Sequence, residues 1–414
     1  MSGVITVGFG QCGCSVVDEL LAQLYEAEKC EDLFFQGKYT PRSILVDTES
    51  KAVDACVRSR RPWSYNPANL HVLGQGGAGN NWAHGYCLGG AGQVVLDSVR
   101  REVERCDRLD SICLVSSAAG GTGSGLGCRL TEEIRDMIPR ALLMNSVVCP
   151  YNVGEVAVQN YNSALSLANL LEVSDGVLLI ENEKVNKTCT SLLKIAQPSF
   201  SDLNSVIAQH LSGSLLPSPD SHNMPSQLFA HLTGNPSYKF LTSRMVPSVP
   251  KQSIAFSNDS WAALNKRLFQ MHISNATLES DIDWSVTFAP TSRSVRAPNK
   301  SLANVLTLHG DDSKEALIQP EACLFDHASL YPTWSDRAMF CHRPQRFNAQ
   351  SRSSTLLSNS QAAILPLDVV TSRGQNMFTS RAYAHQYLRF GLELDDFSFA
   401  FSRLEQALFD YREL

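Results

Sequence analysis

Residues 119 to 125 read Ala-Gly-Gly-Thr-Gly-Ser-Gly, and no other stretch so narrows what the chain can fold into. The run follows a short apolar stretch, Ile112 to Val115, and opens a helical pattern of Leu126, Leu130, Ile134, Met137 and Ile138. Strand, glycine turn and helix in that order build a phosphate cradle. Glycines let backbone N–H groups approach an anion closely, and the helix start adds a partial positive charge. The run carries no lysine, whereas a Walker A loop ends in Gly-Lys-Ser/Thr. It is not G-x-G-x-x-G with an acid about twenty positions on either. It is therefore a phosphate site of another kind.

Around this run the first 180 residues alternate strand-like and helix-like patterns. Strands are expected at Val4 to Gly8, Ser43 to Val46, Ile112 to Val115, Asn145 to Cys149 and Gly176 to Ile180. Val16/Val17, Leu20/Leu21 and Leu24 mark a helix between the first two. The alternation predicts an α/β domain with a mainly parallel sheet, whose ligands sit beyond the carboxyl ends of the strands. Glycine-rich loops at Gly10, Gly74 to Gly79 and Gly120 to Gly125 fall at or near such ends. Three loops converging on one edge are harder to dismiss than one.

This first domain spans 1–182. A core helix through Leu203, Ile207, His210 and Leu211 follows, then a turn-rich loop from Ser212 to Ser226 with Pro217, Pro219 and Pro225. A mixed α+β domain completes 183–364, with strands expected at Gln252 to Phe256, Ser285 to Phe288 and Ser301 to Thr307. Residues 365–414 read as helical. There Phe397, Phe401, Leu404, Leu408 and Tyr411 form one apolar stripe, which packs onto the body or presents a partner surface.

Composition removes several classes. A chain of 414 residues exceeds one ordinary core. A net charge of −6 argues against a general nucleic-acid binder. No apolar run approaches a membrane span, and Met1 to Val7 reads as a strand rather than a signal peptide. The 12 cysteines contain no Cys-x-x-Cys and the 10 histidines no His-Glu-x-x-His, so buried reduced thiols in a cytoplasmic protein are expected rather than a disulfide framework or zinc site.

Ala119 to Gly125 resembles the signature loop of the tubulin family. Three further stretches agree in order: Gly10-Gln11-Cys12-Gly13, Gly79-Asn80-Asn81-Trp82-Ala83-His84-Gly85, and Gln159-Asn160-Tyr161-Asn162-Ser163. Details such as Asn80-Asn81-Trp82, Ser199-Phe200-Ser201-Asp202 and Ser358-Asn359-Ser360-Gln361 resemble the delta type. The resemblance implies a Rossmann-type GTP-binding domain, an intermediate domain and a C-terminal helical hairpin. It places Gln11 and Cys12 near phosphates and base, and Asp47 and Glu49, with Gln11, near Mg²⁺. Ala78, Gly79 and Asn80 would touch the terminal phosphate. Ser117, Gly120, Gly121, Thr122 and Gly123 would form the main cradle, and Glu155 would reach the ribose. Asn182, Phe200 and Asn204 would read the guanine. Gly77 stands where many relatives carry an acid.

In that family hydrolysis is completed by an acid from the next subunit. Here Gln227 stands at that position, and glutamine orients water but is a poor base. The resemblance thus implies GTP or GDP binding with slow or partner-dependent hydrolysis. It implies other tubulins as partners (alpha, beta, or an epsilon type), with microtubules, and a place in the cytoskeleton at centrioles, basal bodies and cilia. No acidic tail follows Leu414, so motors reading such a tail should find nothing to hold.

Two other readings compete. A dinucleotide-dependent oxidoreductase needs a catalytic constellation in the second domain, and none is legible. An ordinary microtubule-lattice subunit would sit poorly with the altered loop at Ser221 to Gln227.

Overall fold

The protein is described by a computed structural model over residues 2–27, 31–37, 39–74, 76–152, 154, 156–216, 224–256, 259–288 and 297–414. It divides into two compact units. One comprises Met1–Asn182 with Leu365–Phe409, the other Glu183–Ile364 with Asp410–Leu414.

The main sheet of the first unit is built of β1 (Ser2–Phe9), β2 (Ser43–Asp47), β3 (Leu70–Val72), β4 (Arg108–Ser117), β5 (Leu143–Cys149) and β6 (Gly176–Glu181). They lie in the order β6-β5-β4-β1-β2-β3, every neighbouring pair parallel. The register is tight at the centre, where Val7 faces Leu114 and Gly8 faces Val115. Both faces are covered, so the strands are apolar without alternation: the successive residues Val4 and Ile5, and Ile112, Cys113, Leu114 and Val115, are all buried. The expected strands of this unit all form, each longer by one to several residues.

The main helices between these strands are α1 (Gly10–Glu26), α2 (Ser50–Arg58), α3 (Trp82–Cys87), α4 (Gln93–Glu104), α5 (Gly127–Met137) and α6 (Gln159–Val173). Val16, Val17, Leu20, Leu21 and Leu24 of α1 are fully buried, each contributing about 1.5–3 kcal/mol of transfer free energy. The chain runs from β1 outward to β2 and β3. It then returns to the other side of β1 at β4. The connections after β1 and β4 thus leave adjacent strands in opposite directions, which opens a crevice between them.

The second unit holds α7 (Phe200–Leu215), α8 (Pro225–Leu232), α9 (Trp261–Ile273) and a sheet of β7 (Phe240–Val246), β8 (Ser301–Gly310), β9 (Ala338–Arg343) and β10 (Arg352–Ser360). Its order is β9-β8-β10-β7, with β8 parallel to β9 and the other pairs antiparallel. The core joins Leu306, Leu308 and Leu356 of the sheet to Leu264, Leu268 and Phe269 of α9.

Two expected strands are absent. Residues 252–256 lie in a 3₁₀ turn, Lys251–Phe256. Pro247 and Pro250 precede it, and Ser253 N–H bonds back to Pro250 O at 2.8 Å, which uses the donor a ladder would need. Residues 285–288 form no strand either: the chain turns at Trp284 and Ser285, where the Asp283 carboxylate accepts from Ser285 N–H at 2.9 Å. Of the loop expected from Ser212 to Ser226, both ends are helical, since α7 runs to Leu215 and Pro225 opens α8; residues 217–223 lie outside the described residues.

α10 (Ile364–Thr379) and α11 (Leu394–Arg412) end the chain. The stripe on α11 is buried, as expected of packing onto the body. Phe397 meets Tyr161 at 4.9 Å and Phe378 at 5.4 Å between ring centroids. Gly374 makes room for Phe401, whose ring would lie 2.6 Å from an added Cβ. Among the described residues no cysteine is in a disulfide. Most are buried, with Cys87 and Cys323 exposed. No described helix is long and apolar enough to cross a membrane.

Candidate functional site

The loops after β1, β2, β3 and β4 gather at one edge of the first unit. The β1–α1 turn is built by glycine. Gly10 has φ +70°, and an added Cβ would lie 3.0 Å from Gly123 N. A Cβ on Gly13 would lie 2.2 Å from Val115 O. The turn therefore rests directly on the backbone of β4 and of the glycine-rich run. Gln11 and Cys12 sit in the first turn of α1, Gln11 exposed and Cys12 half-buried. Burial pushes the Cys12 thiol up to about 12, so it stays neutral. No side chain caps α1, and its first turn holds no acid. Its leading N–H groups are left for an anion.

The run after β4 does not enter α5 directly. Ser117 closes the strand and accepts from Ala119 N–H at 3.3 Å. Bends through Gly120 and Gly121 lead into one wide π-type turn, Thr122–Leu126, again without a side-chain cap or an acid in its first turn. Ser124 donates to Gly120 O. A Cβ on Gly121 would lie 2.6 Å from Ala78 O, so that glycine is demanded by packing. Gly120 differs. Its Cβ would meet only Asn80 Oδ1, at 3.8 Å, and otherwise projects into open space.

At the end of β2, Asp47 is buried and accepts from Thr48 N–H at 2.7 Å. Burial holds its carboxyl above the usual range, although the N–H bonds of Thr48 and Glu49 oppose the shift. Thr48 Oγ1 lies 2.6 Å from Thr122 Oγ1, which ties this loop to the glycine-rich turn. Glu49 is exposed, and its Oε1 would lie 2.5 Å from a Cβ on Gly77. The carboxylate thus lies beside the position where the resemblance places an acid. Among the described residues no three His, Cys, Asp or Glu gather to hold an ion. Mg²⁺ needs no such cage, since it keeps waters and takes one or two carboxylates beside phosphates. A buried, desolvated Asp47 next to an exposed Glu49 fits that demand.

The loop after β3 turns through Gly76, Gly77, Gly79 and Asn80, all with positive φ. Ala78 is buried, and its carbonyl accepts from Asn81 N–H at 3.1 Å. Asn81 Oδ1 then caps α3 by accepting from His84 N–H at 3.0 Å.

The structure thus brings Gln11, Cys12, Asp47, Glu49, Ala78, Gly79, Asn80, Ser117 and Gly120 to Gly123 to the strand ends around one crevice. Asn182 opens the short helix after β6. Phe200 and Asn204 belong to the second unit, one turn apart on α7, with the Phe200 ring 75% exposed. Gln227 lies in the first turn of α8, where its side-chain carbonyl accepts from Met224 N–H at 3.2 Å. Glu155 lies outside the described residues. Sequence reasoning missed Thr48 and the role of Asn162. Asn162 is fully buried, and its amide donates to Asn80 O at 2.8 Å and Ala119 O at 2.7 Å. The signal for it was present in the Asn160-Tyr161-Asn162 stretch.

Two uncapped helical starts facing a switch-point crevice can hold a polyphosphate through backbone N–H groups alone. Comparison with known proteins agrees. Residues 3–190 match the model of the Tubulin/FtsZ family, GTPase domain. The tubulin delta chain of Macaca fascicularis is 35% identical over 456 residues, covering 99% of this chain and 100% of that protein. The tubulin delta chain of Homo sapiens is also 35% identical, at the same coverage. The tubulin beta-1 chain of Colletotrichum graminicola is 31% identical, covering 91% of this chain and 82% of that protein. A lysine-free glycine cradle between β1 and β4 and a likeness that runs the length of the chain lead to one conclusion: the chain belongs to the tubulin family.

Proposed function

We propose that this chain is a GTP-binding structural protein of delta type. Its place is in the assembly or maintenance of triplet microtubules at centrioles and basal bodies, with other tubulins as partners. The observation that carries the nucleotide half is the pair of uncapped starts, at Gly10 and Thr122, on either side of the switch point. Their N–H groups would hold the phosphates, with the Thr122 hydroxyl as a further donor and the open face of Gly120 as the room they occupy. Asp47, Glu49 and Gln11 would hold Mg²⁺ through waters. The ion, when bound, neutralises phosphate charge. Ser117, Ala78, Gly79 and Asn80 would complete the phosphate contacts. Glu155 would take the ribose, and Asn182, Phe200 and Asn204 the base, a role supported by family resemblance and the exposed Phe200 ring.

Gln227 supplies no general base, and its side chain caps its own helix. Hydrolysis is accordingly slow, or completed against a different subunit. The full-length likeness to delta chains supports the cellular role.

The test is direct. The purified chain is denatured and the released ligand resolved by ion exchange. GTP or GDP is expected. NAD, or a folded chain that is empty and indifferent to added GTP, overturns the reading. Thr122→Val should keep the fold and lose nucleotide affinity about tenfold, as expected for one lost hydrogen bond to a charged group. Microscopy in a ciliated cell tests the centriolar role.

A further inference from the structure

The buried amide of Asn162 has every hydrogen-bonding position filled, and its four partners come from three separate stretches of chain. Its Nδ2 donates to Asn80 O of the loop after β3 and to Ala119 O of the glycine-rich run. Its Oδ1 accepts from Trp82 N–H at the start of α3, at 2.9 Å, and from the Tyr387 hydroxyl at 2.6 Å. An amide offers two donors and two acceptor lone pairs, so none is left over. Asn80 has φ +52°, a left-handed conformation that its carbonyl bond to Asn162 helps to hold.

Tyr387 lies in the connection between α10 and α11, and its ring is buried between Tyr161 and Phe397. Three further contacts tie the same short segment to the phosphate loop and α3. Asn81 Nδ2 donates to Gln386 O at 3.2 Å. Cys87 Sγ lies 3.1 Å from Phe390 O. The His84 and Phe390 rings stack 4.5 Å apart at 9°. Both loops proposed to hold phosphate are therefore bonded through one side chain to residues 386–390, more than 220 positions along the chain from Asn162.

We propose that Asn162 is a positioning residue for the phosphate loops, and that through Tyr387 it couples nucleotide occupancy to the docking of residues 386–390. A nucleotide that fixes Asn80 and Ala119 fixes the amide plane between them, and that plane aims Oδ1 at Tyr387. Conversely, a partner that pulls on the α10–α11 connection loosens the phosphate loops. Linkage makes the two effects equal in size. The inference rests on nucleotide binding at this site as proposed above.

The experiment measures guanine-nucleotide affinity and amide hydrogen exchange of residues 384–391 on the full chain. Both are read with and without GTP, for wild type, Tyr387→Phe and Asn81→Ser. Tyr387→Phe keeps the ring and removes only the hydroxyl. Asn81→Ser keeps a capping oxygen for α3 and removes the reach to Gln386. In wild type, GTP should slow exchange in 384–391 at least tenfold. Each variant should bind GTP about five- to tenfold more weakly and lose most of that slowing, with the thermal midpoint of the nucleotide-free chain little changed. Wild type that binds GTP with no change in exchange, or variants that keep the full slowing, overturns the coupling alone. A wild type that binds no guanine nucleotide overturns the function and the coupling together.

Discussion

Gly85 sits inside α3, where helix propensity alone favours alanine by about 1 kcal/mol. The structure predicts the opposite sign for Gly85→Ala. The added Cβ would stand 2.1 Å from Gly121 O, 2.8 Å from Gly121 C and 3.1 Å from Leu126 N. All three are backbone atoms, so no flexible side chain can move aside. Restoring van der Waals contact requires α3 and the glycine-rich turn to part by about 1 Å, and close-packed interiors absorb such shifts poorly. Overpacking of this kind costs about 1–3 kcal/mol, which exceeds the propensity gain. The parting also displaces Gly121 and the N–H groups beyond it from any bound phosphate, so affinity should fall at least tenfold, or about 1.4 kcal/mol. Two assays separate the effects: urea unfolding of the nucleotide-free chain, and titration with a fluorescent GTP analogue. A variant that is more stable than wild type and binds GTP equally well would refute the packing of α3 on the cradle.

Other expectations follow from the same geometry. Gly120→Ala points its methyl into open space, so the nucleotide-free chain should melt within a degree or two of wild type. Because that space is the room assigned to phosphate, GTP affinity should still drop at least tenfold by isothermal titration. The second unit should lose stability in mild acid. Burial first, and then the Arg343 charge, depresses His309 to about 3, and burial likewise lowers His272. The unfolded chain binds those protons near pH 6.5 and the folded chain does not. Stability from each depressed histidine is therefore full above pH 6.5 and declines by about 1.4 kcal/mol per pH unit below it, down toward the folded pKa. Urea midpoints measured from pH 7.5 to 5 should fall accordingly, and His309→Gln should flatten the slope; an unchanged slope would show that His309 takes no part. Leu404→Ala removes a fully buried side chain from the α11 stripe and should cost about 2–5 kcal/mol by the same unfolding assay.

How much was legible beforehand differs between the units for a physical reason. In the first unit, strands buried on both faces read as unbroken apolar runs, and β1 and β4 are followed by glycines that no helix or strand interior would choose. Five of the strands and the glycine loops were therefore visible, while the order of strands in the sheet was not. In the second unit, Phe-Leu-Thr-Ser-Arg-Met-Val of β7 mixes polar with apolar residues and was not marked as a strand. Residues 252–256 and 285–288 carry strand-forming residues but are claimed by local turns. Local hydrogen bonds outcompeted propensity in both.

The glycine run, the absent lysine and the apolar alternation were enough to determine a phosphate-holding α/β domain, because each acts over a few residues of contiguous chain. Which glycines are demanded by packing and which face open space is a matter of neighbours, and Gly121 and Gly120 are indistinguishable in one dimension. The tie from Thr48 to Thr122 and the amide of Asn162 were likewise settled only in three dimensions. Their partners lie tens to hundreds of residues away, and a hydrogen bond depends on distance in space, not along the chain.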